Sequence, residues 1–464
     1  MRVKLILAFL PALITFACLS HVADDARESD GLAITHVTVI DPTGATVNQD
    51  MTVVIIGEHI NSLGKTGVIS PPAGFQIVDG TGKFLIPGLW DMHVHIAADK
   101  LMSEHRDILF PLLIANGITG VRDMGGNLEV LRRWRDEVEL GRVLGPRIVV
   151  SGPLLTSSTL NEYSNMRIST EVAARAAVLS LKEKGADFIK VTALSRDLYL
   201  AVVDEANRQR LLLAGHVPSS VGPGEASEAG QASIEHVAAI RRAVTGEQEA
   251  SDLFAGFVRN GTWVCPTVVL ADTKRLIDGG YVYFGERDPA RDPYLKYLPV
   301  AWEEKIWEPT LDLMLENKWM ISNRTAEGAA QNNSKLRRDL QIVGEMQRAD
   351  VKLLAGTDMG TVPYIFPGFS LHLELALLVE AGLTSMEALQ TATRNPAEFL
   401  GMQESLGTIA KGMIADLVLL DANPLDAITN TQEISAVVVR GRFLPQATLE
   451  QMLSDVEAAA SLDR

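Results

Sequence analysis

The chain has 464 residues, 47% of them hydrophobic, and its 58 acidic residues outnumber 42 basic ones for a formal net charge of −16. That length and apolar content supply a large core and imply more than one domain. The acidic balance, with no basic cluster to contradict it, argues against nucleic-acid or anionic-membrane partners.

The chain opens on Met1-Arg2-Val3-Lys4 and an apolar run over residues 5–19. Fifteen residues with Pro11 inside are short for a membrane span and read as a secretory signal, residues 1–20, cleaved after Ala17 or Ser20. We therefore expect an exported protein, periplasmic or extracellular, free of the membrane unless lipidated at Cys18. Against lipidation, Thr15-Phe16-Ala17 lacks the leucine usual three residues before such a cysteine. Cys18 and Cys265 are the only cysteines, so no internal disulfide framework can form and export is read from the leader alone.

Residues 33–78 alternate in the period-two manner of strands, broken by the Asp41-Pro42-Thr43-Gly44 turn. Further strands are expected over 415–420 and 434–440, before a terminal helix at 449–462. The two ends together, 31–86 plus 403–447, are expected to form a small β-sandwich.

Next, the run Phe84-Leu85-Ile86-Pro87-Gly88-Leu89-Trp90-Asp91-Met92 closes on His93-Val94-His95. Side chains two apart on a strand share a face, so two imidazoles on a stiff backbone make half of a metal site. Later short apolar runs also end in metal-competent residues: Lys190, His216, His236 and Asp358. Runs of four to eight apolar residues suit buried strands, and helical patterns such as 170–185 and 196–210 lie between them. Eight strand ends are read, near His95, Asp123, Ser151, Lys190, His216, His236, Thr267 and Asp358. The fold class is therefore α/β, a (β/α)8 TIM barrel over 87–402, whose reactive groups stand at the C-terminal ends of strands. All six candidate ligands do so.

Other residues are read more plainly. His36, His59 and His105 fall on expected strand, turn or helix surfaces and are given no role, while Arg122 and Asp123 are read as a structural ion pair. Between the seventh and eighth strands an insertion at about 270–330 concentrates aromatics, among them Tyr281, Tyr283, Trp302, Trp307 and Trp319. Loops of that length usually act as lids or partner surfaces, so Tyr281, Tyr283 and Trp302 are expected to touch substrate. A structural helical pair is the alternative. His372, opening the helix after strand eight, is read as touching substrate or as a packing residue.

The segments PGLWDMHVH, DFIKV, AGHVPSS, SIEHV and LLAGTDMG together resemble the amidohydrolase superfamily. More closely, they are similar to its imidazolonepropionase-like branch, which also holds metal-dependent dipeptidases and prolidases. The later runs PGFSLHLELALLVEAGLTSMEALQTATRNPAEFLG and KGMIADLVLLDANPL extend the resemblance over residues 32–444. It implies two divalent ions, zinc by the donor set: one on His93, His95 and Asp358, the other on His216 and His236, with carboxylated Lys190 as the bridge. An ordinary lysine, with a pKa of about 10.4, would set a positive charge beside two dications; carboxylation by CO2 turns it into an oxygen ligand.

The resemblance implies attack by a bridging hydroxide on an amide or peptide C–N bond, with Asp358 as the proton shuttle. Mononuclear deaminases of this superfamily carry a glutamate three residues after the strand-five histidine; here that position is Ser219, which disfavours deamination. The loops GPLLTSSTLNEYSNM and TALSRDLYL depart from the glycine- and histidine-bearing loops of the dipeptidases, so dipeptide specificity does not transfer. An esterase, lactonase or phosphotriesterase could use the same centre. A non-catalytic metal-binding protein is the reading from another class, but structural zinc sites are saturated by protein ligands, and this constellation leaves room for water. The expected partner is a small or dipeptide-like substrate; a homo-oligomer stays open.

Overall fold

A computed structural model describes residues 31–44, 47–158, 164–276, 293–310, 312, 326–360 and 362–462. The first strands are β1 (Leu32–Ile40), β2 (Val47–Ile56), β3 (His59–Lys65), β4 (Gln76–Asp79) and β5 (Phe84–Pro87). They meet the last three, β15 (Leu417–Leu420), β16 (Ile434–Val439) and β17 (Arg442–Pro445), in one eight-stranded sheet of order β17-β16-β15-β5-β1-β2-β3, with β4 also on β1. Hydrogen bonds join all eight strands into this single sheet, so the sandwich expected from the sequence is not seen as two separate layers.

Strand β1 changes neighbours along its length, pairing with β4 at Leu32–Thr35 and with β5 at Thr38 and Val39. His36 lies between these stretches with φ 55°, where the register against β2 also slips. Such a bulge bends the strand enough to serve both partners. The buried face of this sheet, including Ile34, Val53, Leu85, Leu417 and Val438, has its own apolar core.

The apolar run ending in the histidine pair is not one strand. Pro87 ends β5 and Leu89 starts β6 (Leu89–Val94), with Gly88 between. A Cβ on Gly88 would lie 2.1 Å from the Thr119 hydroxyl, so only glycine lets the chain cross there from one sheet to the next.

From β6 to β14 the strands pair in parallel, and helices separate most of them. One sheet joins β6 to β7 (Ile118–Asp123) and β8 (Arg147–Val150). The other has order β10-β9-β11-β12-β13-β14, with β9 at Leu154–Thr156, β10 at Asn165–Arg167 and β11 at Phe188–Val191. Its remaining members are β12 (Leu212–Gly215), β13 (Ser233–Glu235) and β14 (Trp263–Cys265). The expected helices are present as Glu171–Glu183, N-capped by the Thr170 hydroxyl, and Arg196–Gln209.

Seven of the eight expected strand ends thus fall on or within two residues of the end of an assigned strand. The eighth segment, 351–359, is a correction: it makes isolated parallel bridges, Leu353 to Val264 and Met359 to Val94. Its amides alternate between neighbours, Leu354 N donating to Val264 O and Asp358 N to His93 O, while Ala355 N turns away to Thr391 O. That diversion interrupts the ladder a regular strand would need. The loop after β8 differs too, since it contains the short pair β9 and β10.

The described parts of the insertion are helical: Val269–Leu276, a turn at Leu295–Tyr297, Val300–Trp302 running into a wider π-helical turn at Glu303–Trp307, and the long helix Ala326–Arg348. Its aromatics pack on the segment after strand eight. Tyr294 and Tyr297 stack on Phe369 at 4.1 and 5.5 Å between ring centres, and Trp307 meets Tyr364 and Phe366. No described helix is long and apolar enough to cross a membrane.

Candidate metal centre

The end of β6 places His93 and His95 on one side of the strand, both buried. An Asp358 carboxylate oxygen lies 3.2 Å from the Nε2 atom of each. These three residues offer ligand atoms all within 4.8 Å of one another. His236, just past β13, has its Nε2 atom 3.9 Å from the other Asp358 oxygen and 3.0 Å from Nε2 of His216, just past β12. The Lys190 Nζ atom on β11 reaches to 3.4 Å from His93 Nε2. All six residues singled out in the sequence therefore converge.

The second nitrogen of each ring shows which atom faces the centre. His95 Nδ1 lies 3.0 Å from the Gly125 carbonyl, which can only accept, so Nδ1 bears the proton. His93 Nδ1 lies 2.9 Å from a Glu235 carboxylate oxygen. His236 Nδ1 lies 2.7 Å from the Thr267 hydroxyl, whose own proton goes to the Pro266 carbonyl at 2.8 Å, so the hydroxyl oxygen accepts. Each Nε2 is left as a lone-pair donor. The His236 Nε2 lone pair faces His216 Nε2 at 3.0 Å, a spacing that needs a proton or a cation between the two nitrogens. Borderline imidazole nitrogens grouped with a carboxylate suit a divalent metal ion.

Electrostatics agree with that fit. Burial lowers the Lys190 ammonium to about 8 despite the nearby Glu235 and Asp358 carboxylates. Burial likewise lowers the His236 imidazole to about 3, against the pull of Asp358. For Asp358 burial works against the charged form, but His93 and His236 hold its carboxyl well below the ordinary range.

Backbone strain gathers at the same place. His236, Thr267 and Asp358 have φ of 65°, 47° and 63°, the left-handed region that non-glycine residues rarely adopt. Such turns aim consecutive strand ends inward, and no residue pattern announces them.

The residues behind the ligands were missed by sequence reasoning. Glu235 accepts from His93 and is itself gripped by Arg122, whose NH2 lies 2.8 and 3.0 Å from its two oxygens, and by the Ser233 hydroxyl at 2.5 Å. Although burial opposes its charge, Arg122 and then His93 keep the Glu235 carboxyl well below the usual range. The ion pair expected between Arg122 and Asp123 is not formed, because neighbours on a strand face opposite ways. Asp123 accepts instead from the Ile96 and Gly125 amides, at 2.8 and 3.1 Å. Asp91 ties the first segment to the eighth, accepting from Thr357 N at 3.0 Å and from its hydroxyl at 2.6 Å. A charged residue immediately before a ligand in the short run Ser233-Ile234-Glu235-His236 was the available signal.

A cavity of about 940 Å³ opens over this floor, lined by His95, Lys190, His216, His236 and Asp358 among the described residues. That volume holds a drug-sized molecule. His36, His59, His105 and His372 do not line it. His372 is buried elsewhere, bonded to the Thr431 hydroxyl at 2.9 Å and to the Asn116 carbonyl at 3.1 Å, so the packing reading holds for it. Trp302 also departs from expectation: it is 1% exposed, outside the cavity lining, and its indole N–H donates to the Gly360 carbonyl at 3.2 Å. It braces the turn after Asp358 from behind. Tyr281 and Tyr283 lie outside the described residues.

Comparison with known proteins agrees with this geometry. A profile of the amidohydrolase family matches residues 84–444, and the chain belongs to that family. It is 25% identical over 415 residues to the ochratoxinase of Aspergillus niger, covering 76% of this chain and 73% of that one. Among solved structures, a bottromycin amidohydrolase superposes with TM-score 0.71 at 22% identity, covering 92% of this chain and 90% of the other. A Xaa-Pro dipeptidase with methionine bound in its active site superposes with TM-score 0.66 at 22% identity, covering 89% and 99%. At those identities the two structures show the shared fold.

Proposed function

Starting from membership of the amidohydrolase family, we propose that this chain hydrolyses an amide or peptide C–N bond at a centre of two divalent ions, zinc by its donor set. One observation carries the reading: His95, His216, His236, Lys190 and Asp358 line the floor of one cavity large enough for substrate, with His93 Nε2 against Lys190 and Asp358. His93, His95 and Asp358 would hold one ion, His216 and His236 the other, with Lys190 between them as its carbamate. Burial favours this modification, since it shifts Lys190 towards the neutral amine that attacks CO2. The amine lone pair forms the N–C bond as one C=O π bond of CO2 opens onto a carboxylate oxygen, and the nitrogen loses a proton to water.

When bound, such ions polarise a carbonyl and lower the pKa of water from 15.7 to about 7. The protein's own residues do the rest. Asp358, whose carboxyl is held well below the ordinary range, takes the proton of the attacking water and delivers it to the departing nitrogen. Glu235 and Thr267 keep the His93 and His236 rings turned so that Nε2 faces the reaction.

The same proposal includes the frame. Its reading of the two parallel sheets as one barrel is supported by the Leu353 and Met359 bridges at one junction and by the Asp187 amide, which donates to Val150 O, at the other. Residues 87–402 form this catalytic unit, and 31–86 with 403–447 the second domain, supported by the break at Gly88 and the separate apolar core. From its leader, the mature protein acts outside the cytoplasm.

The test is a turnover screen of metal-loaded protein against dipeptides, N-acyl amino acids, lactones and phosphotriesters, with and without chelator. Amide cleavage lost with chelator and restored by zinc is expected. Lactones or phosphotriesters outrunning every amide would move the assignment to ester chemistry, and no turnover at all would end the hydrolase reading.

A further inference from the structure

Above the floor, the cavity wall reverses the sign of the protein. The chain's formal charge is −16, yet Arg241, Arg242 and Lys335 all line this one chamber. Apart from Glu235 and Asp358 on the floor, Asp339 is the wall's single carboxylate among the described lining residues. Asp339 is buried and paired with the Arg241 guanidinium, which joins the helix Ala238–Ala243 to the helix Ala326–Arg348. Lys335 stands one helical turn before Asp339, close to that same pair.

Arg242 is arranged differently. One residue along the helix turns the side chain by about 100° from Arg241. It is exposed into the cavity, and no carboxylate among the described residues pairs with it. Its helix starts two residues after His236, and Arg242 lines the same cavity as Lys190, His216, His236 and Asp358, so a substrate held over those residues shares one chamber with this guanidinium.

We propose that Arg242 is a specificity residue that binds a substrate carboxylate, so that the preferred substrates are anionic: N-acyl amino acids or short peptides with a free C-terminal carboxylate. This deepens the hydrolase reading and rests on it for the position of the bond. A guanidinium fork matches a carboxylate in two parallel hydrogen bonds, which a lysine ammonium cannot reproduce. In an acidic protein, an open cation beside the centre also draws anions to the one place where they react.

Calorimetric binding to metal-loaded protein tests this without needing turnover. The probes are N-benzyl-L-leucine, which has the carboxylate but no scissile amide, and N-benzyl-L-leucinol, which lacks both. Wild type should prefer the acid by roughly 10–100-fold, the scale of a charged hydrogen-bonded pair. Arg242→Ala should abolish that preference and leave the alcohol unchanged; Arg242→Lys should keep part of it. Equal affinity of wild type for both probes, no binding of either, or equal weakening of both in Arg242→Ala would overturn the inference. If instead the acid preference holds while none of the screened substrates, N-benzoyl-L-leucine included, is hydrolysed, the hydrolase reading fails and the carboxylate site stands.

Discussion

Glu235→Gln tests whether the network behind the ligands prepares the metal centre. In the wild type the carboxylate receives four hydrogen bonds, two from Arg122 NH2, one from His93 Nδ1 and one from Ser233, and the Arg122, His93 and Glu235 side chains have no exposed surface. A glutamine amide must aim its NH2 either at Arg122 and His93 or at Arg122 and Ser233. Only the Ser233 hydroxyl can reverse to accept, so the amide oxygen stays on the His93 side and one Arg122 contact becomes donor against donor. Arg122 is then a buried cation without its counter-charge, a change that costs about 3–5 kcal/mol of stability. The His93 ring also loses its anionic partner, which lowers metal affinity by about 10–100-fold.

The pH sign follows from the depressed carboxyl. Its contribution is full above the unfolded value of about 4.3 and is lost only as pH falls towards the lower folded one, so the defect is complete at neutral pH. The assays are thermal melting of metal-free protein and zinc competition against a chromophoric chelator. Adding Arg122→Met to Glu235→Gln should recover stability but not zinc affinity. Wild-type zinc affinity in Glu235→Gln, or recovery of both properties in the double variant, would refute the argument.

Lys190→Ala should lose one of two metal equivalents and its turnover, with acetate restoring part of the activity and Lys190→Arg restoring none, because guanidinium stays charged; elemental analysis and kinetics with added acetate decide it, and an active alanine variant with two ions would exclude the bridge. Trp302→Ala should cost about 3–5 kcal/mol as a large core deletion while KM stays within about twofold, measured by melting and steady-state kinetics. A raised KM at unchanged stability would return Trp302 to the substrate site. Glu374 caps the start of the helix Val269–Leu276, accepting from Val268 N at 3.0 Å and Val269 N at 2.7 Å, and burial pushes it up to about 8. A raised carboxyl stabilises fully below the unfolded pKa of about 4.3 and loses that contribution as pH rises. The melting temperature of wild type relative to Glu374→Gln should therefore fall between about pH 4.5 and 8; a pH-independent difference would contradict it.

Much of the centre was legible because strand ends recur in the chain with a fixed meaning. His93 and His95 two apart on a strand must share a face, and short apolar runs stopping at Lys190, His216 and His236 mark where parallel strands deliver side chains to one mouth. Those are local rules of backbone geometry, and they needed no knowledge of contacts. The break of the run 84–94 at Gly88 was hidden, since what forbids a side chain there is the Thr119 hydroxyl, supplied by a strand thirty residues on. The eighth segment reads as a strand by composition, but its Ala355 amide bonds to Thr391 and the ladder stops.

Residue types and their order along the chain therefore determined the six side chains that converge, the alternation of strands and helices, and the acidic balance. Tertiary structure alone decided that Arg122 answers Glu235 and not its neighbour Asp123, that Trp302 braces Gly360 from behind the cavity, and that His236, Thr267 and Asp358 take left-handed turns. The physical reason is that these outcomes depend on partners many residues away: His93 and Glu235 are 142 positions apart, and only the closed packing of several strand ends makes their pairing less costly than leaving either group buried alone.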